Sequence, residues 1–283
     1  MNAKFIKVNV GSTQLTGDLK TRIRDAYYAA CFNSVERFRA RMTEQKTKFV
    51  VLAASYNNEA YIEKHLQSVL DQTYNNYRVI YIDDCSTDKT AEVVNDFISA
   101  HALGDKFQLV RNKKRRWSLE GKHIVIHDHC LDDEVVVILD GDDNFSNNRV
   151  LEYLNSVYVD KEVWLTYGSY YNLSQKAVGQ QAYTKKTIDN NVFRVEFHPS
   201  HLRTFRSWMY KQIPENYLKG TDGRFFRSQE DRASMYALIE LSGYRHRFIP
   251  YKLMIYNDEN PIGRIVSKEN RRAIRSMVPL DPI

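Results

Sequence analysis

From Lys48 onward the chain alternates short apolar runs with longer stretches whose apolar residues recur every three or four positions. KFVVLAASY reads as a strand ending in small and polar residues. NNEAYIEKHLQSVLDQTY reads as an amphipathic helix with Asn57 or Asn58 as its N-cap. The couplet then repeats. YRVIYIDDCSTDKT, KFQLVRN, EVVVILDGDD and EVWLTYGSYY carry strand patterns. TAEVVNDFISAHA, SLEGKHIVIHDHC and NNRVLEYLNSVYV carry helical ones between them. Strands that are apolar throughout and alternate with helices predict an α/β fold: a Rossmann-like, mostly parallel sheet covered on both faces. Ligands on such sheets bind beyond the carboxyl ends of the strands. Ser55, Asp83, Asp84, Asp140 and Asp142 all fall at such ends.

The pattern weakens past about Tyr170. The polar stretch 172–193 reads as an irregular connection. HPSHLRTFRSWMYKQI has helical spacing at Leu202, Phe205, Trp208 and Met209, and SQEDRASMYALIELSGYR predicts a helix with Ser228 as N-cap and Gly243 just past its end. RFIPYKLMIYNDE is a short apolar stretch interrupted by Pro250, followed by a basic tail. Ahead of the repeating region, KFIKVNV alternates like a short strand. Asp18 to Glu44 spaces Ile23, Tyr27, Ala30, Cys31, Val35 and Phe38 as one helix. Residues 1–47 are therefore expected to form a strand-and-helix extension packed on one main domain, 48–283, and a nucleic-acid arm is the weaker reading.

Composition narrows the class. The 283 residues are 43% hydrophobic and 27% charged, with only 11 Gly and 6 Pro, as in a soluble globular protein and unlike a low-complexity or collagen-like chain. The net charge of +6 suits an anionic ligand such as a nucleotide diphosphate and equally suits ordinary solubility. Cys31, Cys85 and Cys130 are odd in number and far apart, so neither a disulfide framework nor a zinc spacing follows. The first residues lack the apolar core of a secretory signal, and no apolar run approaches the roughly 18 residues of a membrane span. A cytoplasmic location is expected, with peripheral membrane association left open and no nucleic-acid partner.

VVVILDGDDNF then poses the chemical question, because five apolar residues run straight into Asp140, Gly141, Asp142 and Asp143. An acidic turn would account for an Asp-Gly pair. The alternative is a divalent-metal site, since hard oxygen ligands suit Mg²⁺ or Mn²⁺ held by one or two carboxylates plus phosphate oxygens.

Three further segments accompany this one in order: SYNNE after the first strand, DDCSTDKT after the second, and a Glu230–Asp231 pair opening a helix. Together they resemble the family 2 glycosyltransferases, inverting nucleotide-sugar enzymes of GT-A fold, over roughly Lys48 to Asn257. The resemblance implies a nucleotide-binding half, 48–170, and an acceptor-binding half, 171–283. It implies that Ala54, Ser55 and Tyr56 contact the nucleobase. Glu59 matches the acidic residue that follows the first strand, and Asp83 or Asp84 reads the base, commonly uracil. Asp140 and Gly141 are implied near the ribose, Asp142 as ligand of Mn²⁺ or Mg²⁺ with Asp143 assisting, and Lys122 against the nucleotide. Asp231 is implied as the general base, with Glu230 beside it. The donor implied is a UDP-sugar, UDP-glucose or UDP-galactose by family frequency, and the acceptor a glycan or protein hydroxyl. Cys85 stands where the family's DDGS motif has glycine.

Other residues support weaker readings. His198 and His201 could line an acceptor site or complete a metal shell, although capping or packing a helix start ranks first. Arg203 and Arg206 could meet phosphate or form a solvated helix face. KKRRW (113–117) suits a diphosphate-facing loop or plain surface better than nucleic acid. Trp164, Trp208 and Tyr210 could stack on sugar, with core packing the default. Two rival functions stand beside the transferase. A nucleotidyltransferase would carry a glycine-rich, basic loop that SYNNEAYIEKH lacks. A non-catalytic sugar-nucleotide-binding protein would not need both Asp142 and Asp231.

Overall fold

A computed structural model describes residues 47–173, 177–260 and 267–283. The strand and helix expected within 1–46 lie outside the described residues. Nine strands are described: β1 (Lys48–Ser55), β2 (Tyr77–Asp83), β3 (Phe107–Arg111), β4 (Glu134–Ile138), β5 (Asn144–Phe145), β6 (Leu165–Asn172), β7 (Ala177–Val178), β8 (Ser200–Arg206) and β9 (His246–Tyr256). The helices are α1 (Ile62–Leu70), α2 (Thr90–Ala100), α3 (Trp117–His129), α4 (Val150–Tyr158), α5 (Lys185–Asp189), α6 (Ser207–Tyr210), α7 (Glu230–Ser242) and α8 (Lys268–Ser276). Among the described residues no helix is long and apolar enough to cross a membrane.

The sheet order is β3-β2-β1-β4-β8-β6-β9-β5, with β7 on β6. β1 to β4 pair in parallel, and Val50, Val51, Leu52 and Val135 to Val137 are fully buried. That is why these runs are apolar without alternation: helices cover both faces. Parallel register lines up Ser55 with Asp83, so the polar residues ending each run gather at one edge. β8 inserts antiparallel between β4 and β6, while β6 and β9 are parallel. Six strands thus run one way, with β5, β7 and β8 opposed.

Three sequence expectations fail locally. The helix expected from Leu202 to Met209 is strand β8 over Ser200–Arg206, and only Ser207–Tyr210 is helical. Sheet pairing outweighs the spacing: the Thr204 hydroxyl meets Thr166 at 2.6 Å on the neighbouring strand and Tyr158 at 2.7 Å, contacts only an extended backbone supplies. Neither Asn57 nor Asn58 caps α1, which begins at Ile62 behind Tyr61. Gln229, not Ser228, sits at the N-cap of α7. Gly243 does end α7, at φ +51°, where a Cβ would also press to 3.1 Å from Pro282. The stretch around Pro250 is longer than a short apolar run: β9 spans eleven residues. The basic tail contributes helix α8, with Ser267 as a side-chain N-cap.

Candidate active site

The edge where β1, β2 and β4 end carries the candidate residues. After β4 the chain turns through Asp140–Asp143, closed by a hydrogen bond from the Asp143 N–H to the Asp140 carbonyl at 2.9 Å. Gly141 donates to the Ala54 carbonyl at 3.1 Å. A Cβ at Gly141 would stand 2.6 Å from the Tyr81 hydroxyl and 2.9 Å from Ser55 Cβ, so the turn admits only glycine. Below it, buried His65 of α1 hydrogen-bonds the Asp143 carbonyl at 2.7 Å, and burial pushes its imidazole down to about 4.

The three aspartates differ in charge environment. Asp140 accepts from Lys122 of α3 at 2.6 Å. Burial works to raise its pKa, but the Lys122 charge and hydrogen bond outweigh that and hold it below the usual range. Asp142 is raised, first by burial and then by neighbouring Asp140, although Asn260 donates to it at 2.7 Å. Asp143 is raised well above the ordinary value by burial and by the charges of Asp142 and Asp140. One oxygen takes the Asn257 N–H at 2.8 Å and the other takes no hydrogen bond. Crowded carboxylates of this kind fit a dication held by one or two of them plus ligand oxygens. They do not form an all-protein metal cage: among the described residues no three His, Cys, Asp or Glu side chains converge that way.

Beside this turn a cavity of about 50 Å³ is lined by Lys122, Asp140, Arg203, Glu230 and Asp231, with an apolar back wall that includes Ile138 and Phe205. Arg203, only 7% exposed, donates to Asp231 at 3.0 Å, to the Pro199 carbonyl and to His201. It reaches the site because antiparallel β8 pairs Ile138 with Arg203, which carries the start of β8 to the tip of β4. Glu230 is raised by burial, against the pull of Lys122. His201 is held well below the ordinary histidine value by burial and by Arg203, both of which disfavour its charged form. Its ring lies 5.2 Å from Tyr170 and 5.4 Å from Tyr256, a half-buried aromatic wall beside the carboxylates.

On the β1–β2 side the polar motif residues bind one another. Thr87 N–H donates to Asn57, Asn58 N–H to Thr90, Glu59 N–H to Asp88, and Lys89 N–H back to Glu59 at 2.8 Å. Glu59 is therefore a latch at the start of α2, away from the cavity. Asp84 accepts four hydrogen bonds, from Asn112, Arg115 and the Arg116 and Trp117 N–H groups, all between 2.8 and 2.9 Å, and so caps α3. Asp83 is fully buried; one oxygen takes the Ser86 N–H and the other lies 3.3 Å from Arg111. The Arg115 guanidinium lies 3.2 Å over the Tyr56 ring and 4.7 Å from Trp117. Cys85 takes φ 64°, the left-handed conformation that glycine favours.

The structure thus gathers Lys122, Asp140 and Asp231 at one cavity with Asp142 on the adjoining turn, and holds Ala54, Ser55, Tyr56, Asp83 and Asp84 along the β1–β2 edge. His198 and His201 part company: His198 stacks on Tyr183 at 4.5 Å and bonds Glu196. Arg203 and Arg206 lie on a strand, so three positions apart they face opposite ways, and Arg206 packs on Tyr158. Trp164 and Trp208 pack edge to face at 4.9 Å in a groove at the far end of β1 and β4. Sequence reasoning missed His65, Asn257, Asn260, Tyr170 and Tyr256, and undervalued Arg203.

A model of the family described as Glycosyl transferase family 2 matches residues 50–216, more than half of the chain. The chain belongs to glycosyl transferase family 2. An uncharacterized glycosyltransferase of Haemophilus influenzae is 28% identical over 124 residues, 42% of this chain and 46% of that protein. Glycosyltransferase GlyG of Streptococcus pneumoniae is 26% identical over 125 residues, 44% of this chain and 40% of its own length. The chain thus matches less than half the length of these relatives. Among solved structures, S. aureus TarS residues 1–349 in complex with UDP-GlcNAc superposes with a TM-score of 0.62 at 18% identity, covering 81% of this chain and 64% of TarS. Mannosyltransferase PcManGT from Pyrobaculum calidifontis, in complex with GDP-Man and Mn²⁺, gives 0.53 at 18% identity, covering 83% and 66%. These likenesses agree with the GT-A-like fold of a family 2 member.

Proposed function

We propose that this family 2 member is an inverting glycosyltransferase that moves a hexose from a UDP-sugar, UDP-glucose or UDP-galactose first, to a hydroxyl of a glycan or protein acceptor. The observation that carries the reading is the shared cavity of Asp140, Lys122 and Asp231 next to the under-neutralised Asp142. The nucleotide-sugar complexes of TarS and PcManGT support the donor class.

Asp142 is the residue that would hold Mn²⁺ or Mg²⁺, with Asp143 behind it; such an ion supplies charge neutralisation at the departing diphosphate. Asn260 holds the Asp142 carboxylate in position, and His65 and Asn257 hold the turn. Lys122 neutralises Asp140, so that carboxylate orients the ribose without competing for the ion. Asp83 reads the base, because the Asp84 oxygens already accept four hydrogen bonds. Asp231 accepts the acceptor hydroxyl proton, and Arg203 fixes its orientation through one oxygen. Attack from the face opposite the diphosphate inverts the anomeric centre.

The test is donor hydrolysis by the wild type and by Asp231→Asn, with UDP-sugars and Mn²⁺. The variant should lose roughly 10²- to 10⁴-fold in kcat, the usual share of a general base, while donor affinity holds. Equal turnover in the two proteins would remove Asp231 from the reaction.

A further inference from the structure

The acceptor is narrowed by where the charge sits. Three segments meet along one side of the site: 113–117 at the start of α3, 222–232 leading into α7, and 268–275 in α8. Arg227 lies 5.2 Å over the Trp117 ring and joins the first to the second. Asn270 donates to the Ser228 hydroxyl at 3.0 Å and Arg271 to Gln229 at 3.3 Å, which joins the second to the third. Together they hold eleven basic residues against four acidic ones, a surplus larger than the net +6 of the whole chain. The remaining residues are therefore net acidic, and the surplus is local. Seven of the eleven are exposed, among them Arg224, Arg227, Lys268 and Arg272. Two of the four acids are turned elsewhere, since Glu230 and Asp231 line the cavity with Lys122 and Arg203, and only Asp222 and Glu269 stand exposed among the cations.

The two ends of this rim do different work. The 113–117 end adjoins Tyr56 and Asp84, where a nucleotide diphosphate accounts for it. The α8 end is fastened to Ser228 and Gln229, three and two residues before Asp231; Arg271 bonds Gln229 and Arg275 bonds the Arg194 and Val195 carbonyls, while Lys268 and Arg272 stand exposed where the sugar donor does not account for them. Extended charge of one sign steers and holds ligands of the other sign.

We infer that the acceptor is an anionic glycan, a hydroxyl-bearing chain with phosphate or carboxylate groups, whose charges lie along the 222–232 and α8 rim while one hydroxyl reaches Asp231. This rests on the transferase reading above. In the transfer the acceptor oxygen bonds the anomeric carbon. The bond from that carbon to the diphosphate oxygen breaks, its electron pair leaves with the UDP, and the hydroxyl proton passes to Asp231.

The experiment measures binding by calorimetry alongside donor hydrolysis, using the full chain. The probes are oligogalacturonate, its methyl ester, a glycerol phosphate oligomer and a single-stranded oligonucleotide of matched charge. The wild type should bind at least one anionic glycan, more weakly as salt rises, and the neutral ester about tenfold less well. Which anion binds tells carboxylate from phosphate recognition. Lys268→Glu with Arg272→Glu should weaken that binding about tenfold and leave donor hydrolysis unchanged. Equal binding of the ester, unaltered affinity in the double variant, or tighter binding of the oligonucleotide each overturns the proposal. Those results would leave the transferase reading standing, whereas absence of hydrolysis by the wild type strikes that reading instead.

Discussion

Two rows of carboxylates sit at neighbouring strand tips, and they do opposite things. In the loops after β1 and β2, Asp84, Asp88 and Glu59 are satisfied by backbone and side-chain donors from the protein itself. In the turn after β4, burial raises both Asp142 and Asp143, the Asp140 charge adds to each and the Asp142 charge adds to Asp143, and one Asp143 oxygen lacks a hydrogen-bond partner. A saturated carboxylate is structure; an unsaturated one crowded by like charges is open to a charge from outside. Motif letters look alike in both rows, and only partner counting separates them.

Substitutions at the two rows should therefore split stability from function. Asp84→Ala strips four donors of their acceptor, two of them N–H groups at the start of α3, and should cost on the order of 3 kcal/mol in urea unfolding. Asp142→Asn, close in shape and relieved of a like charge, should leave the urea midpoint unchanged while Mn²⁺-dependent UDP binding is lost. A fall in stability as large as that of Asp84→Ala would erase the contrast between the rows. Cys85→Gly removes a side chain from a left-handed position and should raise stability by about 1 kcal/mol, readable as a higher Tm. Glu59→Gln keeps an acceptor for the Lys89 N–H and loses only charge at the start of α2; about 0.5 kcal/mol is expected, with donor hydrolysis intact. A large loss of donor affinity in that variant would return Glu59 to the ligand site.

Much of the parallel half was legible because each apolar run needed no partner outside its own pattern to be recognised as buried. The strands 48–55, 77–83, 107–111 and 134–138 and the carboxylates at their ends follow from that. Strand β8 was not legible: Leu202, Phe205, Trp208 and Met209 repeat at helical spacing, and pairing with Ile138 and Leu165 decided the matter. That error hid Arg203, which on a helix would share a face with Arg206 and on a strand does not. His65, Asn257 and Asn260 carry no local signal because each acts on the Asp142–Asp143 turn from across the chain.

The order of residues along the chain determined which segments are buried strands, that acidic groups end several of them, and that positive charge gathers in 113–117 and α8. These are local properties, carried by burial preference and by covalent neighbours. Tertiary structure alone decided which carboxylates are satisfied, that β8 brings Arg203 to Asp231, and that three basic segments form one rim. Hydrogen bonds and charge–charge contacts act over a few ångströms of space, between residues far apart in the chain.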